Sequence, residues 1–123
     1  MACGQCFETF DIQQRIAENW SAAGFPCTAE RHCGLTENFA FAAVTEHDIA
    51  AMVRDVAASG VDAVAIVCTN LRGARVAADL ESEIGVPIYD SVAVTLWASL
   101  ALARVPVNRV KGWGHLFNDP RLA

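Results

Sequence analysis

The chain has a single lysine, Lys111, and a single tyrosine, Tyr89, and nowhere a long unbroken apolar run. The net charge is −5 and the eight arginines are scattered. Clustered cations to neutralise phosphates are therefore missing, and no nucleic-acid partner is expected. A membrane helix takes ~20 consecutive apolar residues. The longest helical apolar run, Val92 to Ala103, is interrupted by Thr95 and Ser99, so no membrane partner is expected. No basic region followed by an apolar one opens the sequence, which points to the cytoplasm. Five cysteines is an odd number, and without a secretory feature they do not read as a disulfide framework. Cys3 and Cys6 form a C-x-x-C, but no strand precedes them to present a redox pair. Cys27, His32 and Cys33 lack the spacing that would complete a zinc site with them. No metal or other cofactor is expected, and no Ser–His–Asp order or paired-carboxylate spacing stands out.

What is present is alternation. A chain of 123 residues fits one domain able to bury its own core. Residues 1–7 read as an irregular start. From about Glu8 to Ala23, Phe10, Ile12, Ile16, Ala17 and Trp20 recur at three- and four-residue steps, predicting an amphipathic helix that Gly24 stops. Phe25 to Arg31 partly alternates and predicts a short strand near a sheet edge. Thr45-Glu46-His47-Asp48 is a helix-capping sequence, and the helix it opens should bury Ile49, Met52, Val53 and Val56. Val61 to Val67 is an almost unbroken apolar run, suited to a parallel strand covered on both faces. Val76, Ala77, Leu80 and Ile84 then mark a helix that Gly85 and Pro87 close. A strand Val86–Tyr89 and a very apolar helix from about Ser91 to Ala103 follow, with Asp90 placed to cap it. Residues 107–123 read as irregular. Helices alternating with strands predict an α/β, three-layer αβα domain with a small parallel sheet.

Cys68 follows the core strand directly, with Thr69 and Asn70 marking the strand end. Ligands collect beyond the carboxyl ends of strands in open α/β sheets. A thiol there can face unpaired helix N–H groups and a positive dipole end, which favour thiolate. Free cysteines are also among the most buried residue types, so an inert core cysteine is the alternative. His32, His47 and His115 lie in a loop, a first helical turn and the tail, where most histidines are solvated.

Four segments fall in an order that carries a resemblance: Gly34-Leu35-Thr36-Glu37-Asn38-Phe39-Ala40, Cys68-Thr69-Asn70-Leu71-Arg72-Gly73, Val86-Pro87-Ile88-Tyr89-Asp90-Ser91 with Trp97 downstream, and Gly112-Trp113-Gly114-His115-Leu116-Phe117. From about Ile12 to Phe117 the chain resembles the C-terminal half of the aspartate/glutamate racemase superfamily, nearest the branch of maleate cis–trans isomerases and arylmalonate decarboxylases. The resemblance implies one half of a pseudo-symmetric two-domain fold, with a cofactor-independent site between the halves and a small carboxylic or dicarboxylic acid as substrate. Cys68 matches the second-half cysteine that delivers or removes a proton beside a carboxylate. Asn38 matches a substrate-contacting asparagine and Thr69 a carboxylate-holding position, with Asn70 beside it as a further substrate-binding candidate. The family's substrate-binding tyrosine would fall near Phe7 to Phe10, where this sequence has none. The family's first-half motif is absent, and the usual Ser-Asn after the last strand reads Asp90-Ser91.

The implied activity is racemisation, isomerisation or decarboxylation through enediolate charge held by N–H groups. Turnover then needs a homo-oligomer or a separate first-half chain. An inactive half-domain or a binding module for small carboxylates remains open beside it. The family's tail crosses onto the other half, which implies that residues 107–120 lack a docking site on this one.

Overall fold

The computed structural model describes residues 10–122. Cys3, Cys6 and the stretch where the family tyrosine would fall, up to residue 9, lie outside the described residues. The elements run α1 (Phe10–Ala22), α2 (Asn38–Ala43), α3 (Glu46–Ala57), β1 (Val64–Ile66), α4 (Gly73–Ile84), β2 (Ile88–Asp90) and α5 (Ser91–Leu102). Three short 3-10 turns follow, Val107–Arg109, His115–Phe117 and Pro120–Leu122. No described helix is long and apolar enough to cross a membrane.

β1 and β2 pair in parallel, with Val64 opposite Ile88, Ala65 opposite Tyr89 and Ile66 opposite Asp90. Side chains alternate across a strand, so Val64, Ile66 and Ile88 face one way. There they meet Ile49, Val53 and Val56 of α3 and Ala77 and Leu80 of α4 in the main core. Tyr89 faces the other way and packs with Ala93, Trp97 and Leu100 of α5 and with Val107, Leu116 and Phe117. The three layers of an α/β domain are in place around a two-stranded sheet.

Local chemistry explains the boundaries. The Thr45 hydroxyl accepts the Asp48 N–H at 3.1 Å and so caps α3, satisfying one of its orphan donors. Gly85 ends α4 in the left-handed conformation, φ 74°, while its N–H reaches the Glu81 carbonyl, a position that favours glycine. Asp90 Oδ1 accepts the N–H groups of Val92 and Ala93 at 2.9 and 3.0 Å and starts α5.

Three expectations are corrected. No strand forms at Phe25–Arg31; the described sheet has two strands. Pro26 has no N–H for a ladder. The polar residues of the segment make side-chain ties instead, Glu30 to Gln13 at 2.8 Å and Arg31 to Asp55 of α3. Ala29, Cys33 and Leu35 still pack on the main core, so the segment covers its edge without joining the sheet. In α1 the periodic reading is partly inverted, because Ile12 is exposed and Gln13 buried. The tail, finally, does have a docking site here: Val107, Leu116 and Phe117 are buried against α5 and β2. The Glu81 carboxylate joins both sides, accepting the Ile88 N–H at 2.8 Å and the His115 N–H at 2.6 Å.

Candidate active site

The strand ends at Ile66 and α4 begins only at Gly73. Cys68 therefore lies on the connecting turn and not at the helix start that the sequence suggests. Cys68 is 9% exposed and belongs to the main core cluster. The donor that meets its sulfur is the Asn70 N–H, at 3.4 Å. Turn geometry thus supplies the N–H that a helix start was expected to give.

Asn38 opens α2 and is exposed. Its carbonyl accepts the Asn70 side-chain amide at 2.6 Å, across a separation of 32 residues. Cys68, Asn70 and Asn38 therefore form one connected group, with Thr69 exposed between the first two. Arg72, at the N-terminal edge of α4, reaches toward the Ala42 carbonyl at 3.5 Å and approaches the end of α2. Phe39, next to Asn38, is 90% exposed.

One contributor is not announced by the sequence. The Ser91 hydroxyl accepts the Cys68 N–H at 3.2 Å and donates to the Cys68 carbonyl at 3.1 Å. The signal that could have found it is the parallel register. Once Ile66 is set opposite Asp90, the residues just beyond each strand must be neighbours.

Asp90 is buried, 1% exposed. Burial pushes its carboxyl above the ordinary carboxylate value, against the pull of the Ala93, Val92 and Ala74 N–H groups. Among the described residues its Oδ2 has no hydrogen-bond partner. A carboxyl raised in the folded state holds its proton longer than in the unfolded chain. Its contribution to stability is then fullest below the unfolded value, about 3.9, and is lost as pH rises through the folded value. Asp90→Asn, which keeps an Oδ1 acceptor but cannot ionise, removes that loss. The stability of the native chain relative to Asp90→Asn should fall as pH rises from about 4 toward 8, measured by urea unfolding at each pH. A relative stability that rises over this range would show Asp90 to be stabilised as the anion.

The histidines stand apart from this group. His32 pairs with Glu30 at 3.1 Å and His115 with Asp119 at 2.7 Å, while His47 is exposed on α3. Asp119 is held well below the usual carboxylate range, first by the Arg121 side chain and its backbone N–H and then by His115. Tyr89 is half-buried under the tail, and burial raises its hydroxyl above the ordinary value, with Asp119 and Glu81 adding to the shift. Among the described residues no three His, Cys, Asp or Glu side chains are grouped to hold a metal ion.

The chain is matched by the sequence model of the Asp/Glu/hydantoin racemase family. That model matches residues 10–99, and the chain belongs to this family. Solved structures share the fold. Arylmalonate decarboxylase is 23% identical with a TM-score of 0.84, over 96% of this chain and 52% of its own. The Nocardia farcinica maleate cis–trans isomerase, as a mutant with a covalently bound succinylcysteine intermediate, is 20% identical with a TM-score of 0.86, over 94% and 47%. A variant of the maleate isomerase of Pseudomonas putida S16, solved with maleate, is 18% identical with a TM-score of 0.89, over 99% and 49%. The chain thus spans about half the length of the structures it matches. Comparison with curated proteins gives no significant match.

Proposed function

We propose that this chain carries one face of a cofactor-independent active site that moves a proton at the carbon beside a carboxylate of a small carboxylic or dicarboxylic acid. The observation that carries the reading is the connected group at the end of β1, where Cys68 Sγ accepts the Asn70 N–H and Asn70 is braced on Asn38. The neighbouring isomerase with its succinylcysteine intermediate supports a chemical role for a cysteine in this fold.

In the proposed step the Cys68 thiolate takes the proton from the carbon, leaving an enediolate on the carboxylate and a neutral thiol. The reverse step returns the proton from the thiol. Asn38, Thr69 and Asn70 bind the carboxylate, whose growing charge N–H donors stabilise best where water is excluded. Asn70 keeps a second amide hydrogen for this work, since one is spent on Asn38. Inversion or isomerisation needs a second group on the opposite face of the carbon. We assign that group to a second copy of the chain or to a separate chain carrying the family's first half. The half-length match and the exposed Phe39 beside Asn38 support a site completed by a partner. A reduced thiol is required throughout, which agrees with a cytoplasmic setting.

Solvent-deuterium incorporation followed by NMR tests the reading, with aspartate, glutamate, maleate and an arylmalonate as substrates. The chain alone should exchange little. Addition of a first-half chain, or the concentration at which sedimentation shows self-association, should bring exchange on, and Cys68→Ala should abolish it. Exchange that is unaffected by Cys68→Ala would sink the proton-transfer role. Saturable carboxylate binding with no exchange in either form would leave a binding module instead.

A further inference from the structure

We propose that Ser91 is a positioning residue for Cys68, its hydroxyl standing in for the next rung of the sheet; this rests on the reading of Cys68 as the proton-transfer group. In a parallel ladder a residue directs both its N–H and its carbonyl at the same neighbouring strand, and every second residue does so. Val64 makes the first such contact, its N–H donating to the Pro87 carbonyl at 2.9 Å. The register runs on to Ile66 opposite Asp90. Two residues further, Cys68 presents the same two groups toward the place where β2 would continue. β2 has ended there, because Asp90 caps α5 and the chain turns into the helix at Ser91.

One hydroxyl fills both positions. It accepts the Cys68 N–H and donates to the Cys68 carbonyl, so the peptide groups on both sides of the cysteine are held as a strand would hold them. Ser91 is itself held, because Asp90 Oδ1 binds the next two N–H groups of α5. With its backbone pinned from the α5 side, the sulfur meets the Asn70 N–H from the other. The direction of the thiol is then defined by two independent ties, one from α5 and one from the turn. An aliphatic residue at 91 could satisfy neither group of Cys68, whereas threonine keeps the same hydroxyl.

The test uses the full chain, with Ser91→Ala and Ser91→Thr, and reads iodoacetamide labelling of each cysteine by peptide mass spectrometry between about pH 6 and pH 9, the range over which cysteine thiolates commonly form. Cys27, a free thiol outside the group, is the internal reference. Ser91→Ala should raise Cys68 labelling at least about fivefold and change its pH profile, the scale of one lost net hydrogen bond, with Cys27 little changed. Ser91→Thr should restore the native rate and profile. A Cys68 rate that stays with the native value in Ser91→Ala overturns the proposal. So does a Ser91→Thr that behaves like alanine, or a Cys27 rate that rises in step and so reports general loosening. A measurement on the native chain holds even if the alanine variant does not fold. The Cys68 amide should be protected from hydrogen exchange to within about tenfold of Val64, as a rung of the same ladder. Exchange at the rate of an open loop would overturn it equally. Labelling and exchange report on position alone, so their failure is distinct from a failure of Cys68→Ala to stop proton transfer.

Discussion

Phe117→Ala should lower the stability of the domain by about 3–5 kcal/mol, the usual cost of emptying a buried phenylalanine site. Phe117 is 2% exposed and lies in the second core cluster with Ala93, Val107 and Leu116. Few atoms could collapse into the space, because one wall is the sheet and the other the α5 helix. For a domain between the sizes usually tabulated, that loss shifts the thermal midpoint by about 10–20 °C. The tail is attached to the rest by a polar tie as well, the His115 N–H donating to the Glu81 carboxylate of α4. If the tail instead leaves its site in solution, Phe117 becomes a surface residue and the change should stay within about 0.5 kcal/mol. Calorimetry of the two chains separates these outcomes.

The elements legible in the sequence are those whose causes are local. The Thr45 hydroxyl and the Asp48 N–H are three residues apart, and their bond sets the start of α3 where the capping sequence predicts it. Gly85 and Asp90 act on their own helix ends in the same way. The features that escaped depend on partners far along the chain. Phe25–Arg31 alternates, yet a strand needs a neighbour with a free edge, and the polar groups of this segment found Gln13 and Asp55 instead. Gln13 is buried and its side-chain amide donates to Glu30, a long-range tie that no periodicity in α1 encodes.

The same division runs through the candidate site. Cys68 is visible as a thiol directly after an apolar run whose end Thr69 and Asn70 mark, and Asn38 and Thr69 are singled out as binding candidates by the resemblance of their segments alone. The contact that joins Asn38 to Asn70 goes to a backbone carbonyl, so no pairing of side-chain types announces it. Ser91 reads from sequence as the residue after a cap. Its hold on Cys68 follows only from the parallel register, which places the ends of β1 and β2 side by side.

Gly73→Ala should destabilise the domain by about 1–3 kcal/mol, the range for overpacking a filled site, although alanine is intrinsically the better helix former by about 1 kcal/mol. Gly73 is the first residue of α4 and is buried. A Cβ there would lie 2.6 Å from Asp90 Oδ2 and 2.8 and 2.9 Å from two carbons of Ile66. Such separations cannot persist, so either α4 or the strand ends must move. Ile66 is locked in the core, at 2% exposure, which directs the displacement toward the Asp90 carboxylate. That carboxylate caps α5 and thereby sets Ser91 and the Cys68 turn, so the substitution should also alter Cys68 labelling. A double-mutant cycle isolates the cause. In an Asp90→Ala background the atom struck at 2.6 Å is gone, and the added cost of Gly73→Ala should fall by about 1 kcal/mol or more, the coupling usual for residues in contact. Strictly additive effects, read from urea midpoints at constant m-value, would mean that the strain goes into Ile66 and the sheet, and that α4 does not act on the site through Asp90.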